Sequence, residues 1–172
     1  MRYYDTFQSP QGGMLLLADD EGLAGVFFDR QKHHPGKQAD WRRNPDDKFL
    51  RQAKRELAEY FAGKRKRFDV ALSPAGTPFQ RAVWKAISSV RFGETISYGE
   101  LARRAGHPGS ARAAGAATGR NPIGIIVPCH RIMGANGSLT GYAGGLERKR
   151  ALLALEGASR ASLSTPGFAK AA

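Results

Sequence analysis

Ser97-Tyr98-Gly99-Glu100-Leu101-Ala102-Arg103-Arg104-Ala105-Gly106-His107-Pro108-Gly109-Ser110-Ala111-Arg112-Ala113-Ala114-Gly115-Ala116-Ala117 is the stretch that decides the fold. Ser97 with Glu100 three residues later fits a capping box, so a helix is expected from there through Ala105. Gly106-His107-Pro108-Gly109 is a tight turn, and Ser110 opens a second helix of small residues. Two short helices joined by a Gly-containing turn have the shape of a helix-turn-helix. A second helix this rich in Ala and Gly suits close approach to a DNA backbone. It equally suits a tightly packed helix pair in a core.

Upstream, Thr77-Pro78 reads as an N-cap followed by proline at the first helical position. The helix it starts places Phe79, Val83, Ile87 and Val90 on one face, and Leu72 to Gly76 is the best linker. The N-terminal part reads as strands and turns. Phe7 to Gly13 is turn chemistry, Met14 to Ala18 a strand, Asp19 to Gly22 a turn and Leu23 to Phe28 a second strand, together a hairpin. Residues 30–45 are polar and read as a loop. From Asp46, Phe49, Leu50, Ala53, Leu57, Tyr60 and Phe61 recur at helical spacing until Gly63. Lys64-Arg65-Lys66-Arg67 reads as a solvated turn. Downstream, five glycines between Gly134 and Gly145 make an irregular loop, Leu146 to Glu156 a last helix, and Gly157 its stop. The expectation is an α+β protein. A small antiparallel sheet with a helix covers 1–73, a mainly helical domain covers 77–157, and 158–172 form a flexible tail.

The chain of 172 residues suffices for one domain or two small ones. No segment approaches the ~18 consecutive apolar residues of a membrane helix, so no membrane partner is expected. Met1-Arg2-Tyr3-Tyr4-Asp5 lacks a signal peptide's apolar core, and a single cysteine suits the reducing cytoplasm. The net charge of +12 points to a polyanion, nucleic acid above all. Residues 91–172 hold 11 basic side chains against 4 acidic, as a surface facing phosphates should.

The cysteine is Cys129, in Ile125-Ile126-Val127-Pro128-Cys129-His130-Arg131. A lone thiol makes no internal disulfide and builds no thiolate cluster. It is either an inert buried residue or a nucleophile. The apolar, β-branched run reads as a buried strand delivering the thiol beside a base and a cation. Such neighbours lower a thiol's pKa and activate it.

Pro128-Cys129-His130-Arg131 resembles the active-site signature of O6-alkylguanine-DNA alkyltransferases. The resemblance covers about residues 77–157 and extends to Phe79-Gln80, Val83-Trp84, Ser97-Tyr98, Ala111-Arg112-Ala113, Gly119-Arg120-Asn121-Pro122 and Gly141-Tyr142-Ala143-Gly144-Gly145. It is closest to the stand-alone bacterial form. It implies a ribonuclease H-like roll before a winged helix-turn-helix-like domain, and an alkyl group moved from guanine O6 onto the protein's own cysteine. That transfer is irreversible and happens once per molecule, with O4-alkylthymine left open as a second substrate.

The chemistry suits these residues. An alkyl carbon on oxygen is a poor electrophile, and an ordinary thiol is only about 3% thiolate at pH 7. A pKa lowered to ~5.5 would make it almost wholly ionised. The resemblance gives Cys129 the nucleophile's role and His130 the base's, through a water. Glu156 would orient His130, Tyr98 would donate its proton toward guanine N3, and Asn121 would brace the adjoining turn. Tyr142, Ala143, Gly144, Val127 and Met133 would wall the base pocket. Ala143 replaces a serine found in some members, which removes one hydroxyl donor near O6. The small glycines suggest tolerance of alkyl groups larger than methyl.

The target atom lies inside a duplex, so the base must be flipped out. By resemblance, Arg112 fills the vacated space, and Ser110, Ala111, Ala113 and Tyr98 approach double-stranded DNA through its minor groove. Arg131 reads as structural. No cofactor and no metal are expected, since the N-terminal cysteines that bind zinc in some members are absent and His33 and His34 alone make no site. A monomer is expected. The competing reading is an alkyl-lesion-binding protein without chemistry, though such binders lack the cysteine. A Cys–His hydrolase or a plain helix-turn-helix regulator leaves the remaining set unexplained.

Overall fold

The computed structural model describes residues 1–158, and the tail expected from the sequence lies, apart from Ala158, outside the described residues. The chain divides into two compact units. The first is Met1–Ala75 with Pro122–Gly124; the second is Gly76–Asn121 with the chain from Ile125 on. Among the described residues no helix is long and apolar enough to cross a membrane.

The first unit is a four-stranded sheet in the order β3-β2-β1-β4, built from β1 (Tyr3–Ser9), β2 (Gly12–Ala18), β3 (Leu23–Phe28) and β4 (Arg42–Arg43). β1–β2 and β2–β3 are antiparallel, with Ser9 opposite Gly12 and Leu16 opposite Val26. β4 runs parallel to β1, so the expected antiparallel sheet has one parallel edge. Both this strand and β1 depart from the sequence reading. Phe7 to Ser9 are strand, not turn, and the reversal is confined to Ser9–Gly12, where Ser9 Oγ donates to the Gly12 carbonyl at 2.8 Å. The inward residue at the centre of β1 is Asp5, which interrupts the apolar period. It is 2% exposed and paired with Lys54 and Arg43.

The run Met14 to Ala18 is buried throughout because β2 is covered on both faces. On one side lies α1 (Lys48–Phe61), capped by Asp47, whose carboxylate accepts from the Phe49 and Leu50 N–H groups at 3.0 Å. It buries Leu50, Ala53, Leu57 and Tyr60. On the other, Leu15, Leu17, Ala24 and Phe27 form a cluster with Trp41, carried by the polar 30–45 loop. Gly25 permits this packing, since a Cβ there would lie 2.4 Å from the Phe27 ring. Leu72 and Ile123 bridge to the free edge of β3, which blunts it. Arg65 is no solvated turn residue, for it bonds Glu59 at 3.0 Å and Asp69 at 3.2 Å.

The second unit holds α2 (Pro78–Ile87), α3 (Tyr98–Arg104), α4 (Ala111–Gly119) and α5 (Leu146–Leu155), with β5 (Ile96–Ser97) and β6 (Ile132–Met133) as a short parallel pair. Thr77 and Gln80 form a complete capping box on α2. Ser97 caps α3 by accepting from Glu100 N–H, but the Glu100 carboxylate turns to Arg103 and Arg104 instead of closing the box. α3 and α4 are the expected helix-turn-helix. The buried face of α4 is the tightly packed helix pair that the small residues allow, and its other face is exposed. Ala114 and Ala117 are buried, and the Ala117 carbonyl accepts from Trp84 Nε1 at 2.8 Å. Arg112, Ala113 and Ala116 are exposed. Ala114 and Ala117 therefore pack inward and offer nothing to DNA.

Candidate active site

Ile125 to Val127 is not a strand. Ile125 sits at φ 68°, a left-handed conformation strained for a β-branched residue, so the chain turns there and cannot pair. Asn121 braces the turn by donating Nδ2–H to the Val127 carbonyl at 2.9 Å. Cys129 N–H then bonds the Val127 carbonyl at 2.8 Å around Pro128 (φ −81°, ψ 64°), an inverse γ-turn. A single 3-10 turn, Cys129–Arg131, comes directly after it. Two tight turns in succession thus fix the thiol by its backbone.

His130 is 0% exposed, and its Nε2 lies 2.7 Å from Glu156 Oε2. Glu156 caps the C-terminal end of α5, a position that disfavours a carboxylate. Arg131 offsets this. Its Nε and Nη2 donate to Glu156 at 2.7 and 3.0 Å, and its Nη1 to the Val90 carbonyl at 2.7 Å. Burial alone would raise the Glu156 pKa; the hydrogen bonds from His130 and Arg131 and the charge of Arg131 outweigh it and hold the carboxyl below its ordinary value. Burial likewise lowers the His130 pKa against the pull of Glu156, so the ring is neutral. With His130 neutral, Arg131 is the cation that keeps Glu156 charged. The carboxylate then takes the Nε2–H of His130 and leaves Nδ1 as the acceptor. Nδ1 is buried and has no hydrogen-bond partner among the described residues.

The thiol departs from expectation. Cys129 is 7% exposed, and burial raises its pKa above the ordinary value. A hydrogen bond from the Asn121 side chain and the charge of Lys149 oppose the rise without cancelling it. Arg131, expected beside the thiol, is spent on Glu156. At rest Cys129 is a protonated thiol with a neutral imidazole next to it in sequence.

Tyr98 opens α3, with its ring 3.6 Å from where a Cβ on Gly115 of α4 would stand. Burial raises its pKa, a hydrogen bond with Thr140 opposes this, and the Cys129 charge adds to the rise, so the phenol keeps its proton. Tyr142 packs edge-on to His130 with ring centroids 6.4 Å apart, and burial followed by the Cys129 charge raises its pKa well above the ordinary value. Ala143 and Gly144 adjoin it, partly exposed, and Val127 is buried. Met133 is buried in an apolar cluster with Leu139, Leu153 and Ala158, so its side chain supports the loop instead of lining an opening. Ser110 makes no side-chain cap bond to α4, and Ala111 is partly exposed beside Arg112 and Ala113.

The sequence reading missed Lys149. It is 0% exposed, and its Nζ donates to the Ile132, Thr140 and Gly141 carbonyls at 2.6, 2.7 and 3.3 Å. It therefore ties the loop before Tyr142 to the strand after the cysteine turn. Burial lowers its pKa to about 8, opposed by the Cys129 charge, and its three N–H groups match three carbonyls only as an ammonium. The signal was present. Lys149, Leu152, Leu153 and Glu156 lie at helical spacing, which puts both charges on the buried face of α5.

A buried cysteine flanked by an oriented neutral base, sharing one folded unit with a helix-turn-helix, defines a nucleophile-bearing, DNA-binding type of protein. Residues 78–158 match the family described as 6-O-methylguanine DNA methyltransferase, DNA binding domain, and residues 2–74 its ribonuclease-like domain. The chain belongs to the 6-O-methylguanine DNA methyltransferase family. It is 52% identical over 155 residues to the methylated-DNA–protein-cysteine methyltransferase of Methanosarcina acetivorans, covering 90% of this chain and 98% of that protein. The Mycobacterium tuberculosis protein of the same name is 48% identical over 156 residues, covering 91% and 93%. The crystal structure of Mycobacterium tuberculosis OGT in complex with DNA has a TM-score of 0.82 at 46% identity, covering 92% of this chain and 96% of that one.

Proposed function

We propose that this protein reverses O6-alkylguanine damage in double-stranded DNA by moving the alkyl group onto Cys129, once per molecule. The observation that carries the reading is the His130 geometry, with Nε2 committed to Glu156 and a buried Nδ1 left to accept a proton. Cys129 gives its proton to Nδ1, directly or through one water, as the substrate excludes solvent. The thiolate sulfur attacks the alkyl carbon, an S–C bond forms, and the C–O6 bond breaks with its electrons leaving on guanine. Tyr98 delivers its phenol proton to guanine N3, and the His130 imidazolium restores a proton to the phenolate. The products are a thioether and an intact guanine. Asn121 and Lys149 hold the turn and loop in which these groups sit. Val127, Tyr142, Ala143 and Gly144 wall the base, and Met133 backs them.

Exposed Arg112, with Ser110, Ala111 and Ala113 around it, enters the minor groove and fills the space of the flipped base. One exposed cation amid small side chains suits backbone contact without base reading. The protein acts as a monomer in the cytoplasm, where a free thiol persists. Intact-protein mass after mixing with duplex DNA carrying one O6-methylguanine is the test. A gain of about 14 Da on Cys129, saturating at one per molecule, is expected. Unchanged mass despite tight binding would leave a lesion-binding protein with an idle thiol.

A further inference from the structure

Several acidic side chains of the first unit are engaged within it, while Asp20, Glu21, Asp29, Asp40, Asp46 and Asp69 are exposed. Asp5 is buried against Lys54 and Arg43, and Glu56 is buried with its Oε1 accepting from the Asp69 and Val70 N–H groups at 2.9 and 3.2 Å. Asp19 binds the Glu21 and Gly22 N–H groups of its turn, Asp47 caps α1, and Glu59 holds Arg65. Among the exposed basic side chains of this unit, Lys48, Arg51 and Arg55 share the outer face of α1. Their spacing of three and four residues puts them on one stripe, and none of them forms an ion pair among the described residues. Exposed Ala58 and Ala62 continue the same stripe, and exposed Lys64 and Arg67 come after the helix end.

Like charges at this spacing repel and weaken a helix. On α3 such a row is neutralised, Glu100 bridging Arg103 and Arg104, whereas the shorter Arg81–Lys85 pair on α2 is not, among the described residues. On α1 the row is left open. Seven residues of helix span ~10 Å, about three phosphates along one strand of a duplex at ~3.4 Å each. The small alanines beyond would let a broad polyanion lie close.

We infer that the outer face of α1, through Lys48, Arg51 and Arg55, is a second DNA-backbone contact surface, separate from the helix-turn-helix. It rests on the reading that duplex DNA is the substrate. It adds affinity without sequence information, because ammonium and guanidinium groups on a convex helix face meet phosphates and not base edges.

The test is a triple variant, Lys48→Gln with Arg51→Gln and Arg55→Gln, in the full chain. Binding to an undamaged duplex of about 30 base pairs is followed by fluorescence anisotropy across a salt series. A control variant removes two exposed cations of α2, Arg81→Gln with Lys85→Gln. The expected result is a salt dependence shallower by about two to three in slope, with affinity at least about tenfold weaker near 0.1 M salt. The control should change less than half as much. Alkylation of Cys129 by free O6-methylguanine base, which needs no phosphate contact, should proceed at the parental rate. A slope and affinity equal to the parent's, or a loss no larger than the control's, would overturn the inference and leave α1 a solvated face. Absence of any mass gain in the parent protein would instead overturn the substrate reading, while the anisotropy series would still decide whether α1 holds DNA.

Discussion

Replacing Glu156 by Gln removes one charge, keeps the shape and leaves a buried hydrogen-bond network one acceptor short. The carboxylate accepts three hydrogen bonds, two from Arg131 and one from His130 Nε2. An amide has one oxygen to offer, so at least one donor faces an NH2 group. If that donor is Arg131, a guanidinium buried at the end of α5 loses its counter-charge. If it is His130, Nε2 must accept, and the ring proton moves to Nδ1, where it blocks transfer from the thiol. The Glu156 carboxyl is held below its ordinary value by these partners, and breaking a buried pair costs about 3–5 kcal/mol. We expect a loss of about 3 kcal/mol in urea unfolding, followed through Trp84 in a Trp41→Phe background, since Trp84 lies in the same unit. Single-turnover alkylation should slow by about 100-fold or more, the usual contribution of a positioned base. The variant Glu156→Leu with Arg131→Met removes the pair whole. It should recover most of the stability and none of the rate, which separates the fold from the chemistry. Stability within about 1 kcal/mol of the parent together with a rate within about threefold would refute the reasoning.

Lys149→Met should cost roughly 2–5 kcal/mol, because carbonyls lose charged donors while the burial cost of the ammonium is recovered. Urea unfolding checks this, and an unchanged midpoint would mean the lysine bonds contribute nothing. Tyr98→Phe removes the proton donor but keeps the ring against Gly115, so alkyl transfer should slow by about 10- to 100-fold with duplex affinity within about twofold; equal rates in single-turnover assays would remove Tyr98 from the mechanism. Iodoacetamide labelling of Cys129 in the free protein should rise with pH along a curve displaced to the alkaline side of a model thiol, since burial raises the pKa. A curve displaced to the acid side would restore the low-pKa thiol that the sequence suggested.

Helix starts at Ser97 and Thr77 were legible in the sequence because they are local chemistry, a side chain meeting backbone N–H groups three residues away, and the structure has both. The strands Met14–Ala18 and Leu23–Phe28 were legible because burial on both faces leaves continuous apolar runs. β1 was hidden because its inward residue is Asp5, whose partners Lys54 and Arg43 are 49 and 38 positions away. The parallel edge β4 was hidden for a related reason, since two exposed arginines carry no strand pattern. Ile125 misled most. Three β-branched or apolar residues before a proline read as a strand, and only the positive φ shows a turn. Glu156 at a helix end reads as a surface carboxylate until Arg131 and His130 are seen folded onto it.

The error about the thiol has a physical lesson for the mechanism. Counting His130 and Arg131 as neighbours of Cys129 assumed that adjacency in sequence directs their charge at sulfur. Both neighbours are instead bonded to Glu156, so neither charge is committed to the sulfur. What faces the sulfur electrostatically is Asn121 and Lys149, from other elements. A thiol kept protonated by burial resists stray electrophiles, which matters if, as proposed, the nucleophile reacts only once. Ionisation is then tied to the event that brings the lesion in. On the proposed mechanism, base entry expels solvent, the attraction of the Lys149 ammonium for a nascent thiolate strengthens, and the unpartnered Nδ1 accepts the proton. On that mechanism the same burial that keeps Cys129 protonated at rest makes the thiolate effective when it forms, and selectivity would come from coupling proton transfer to base entry.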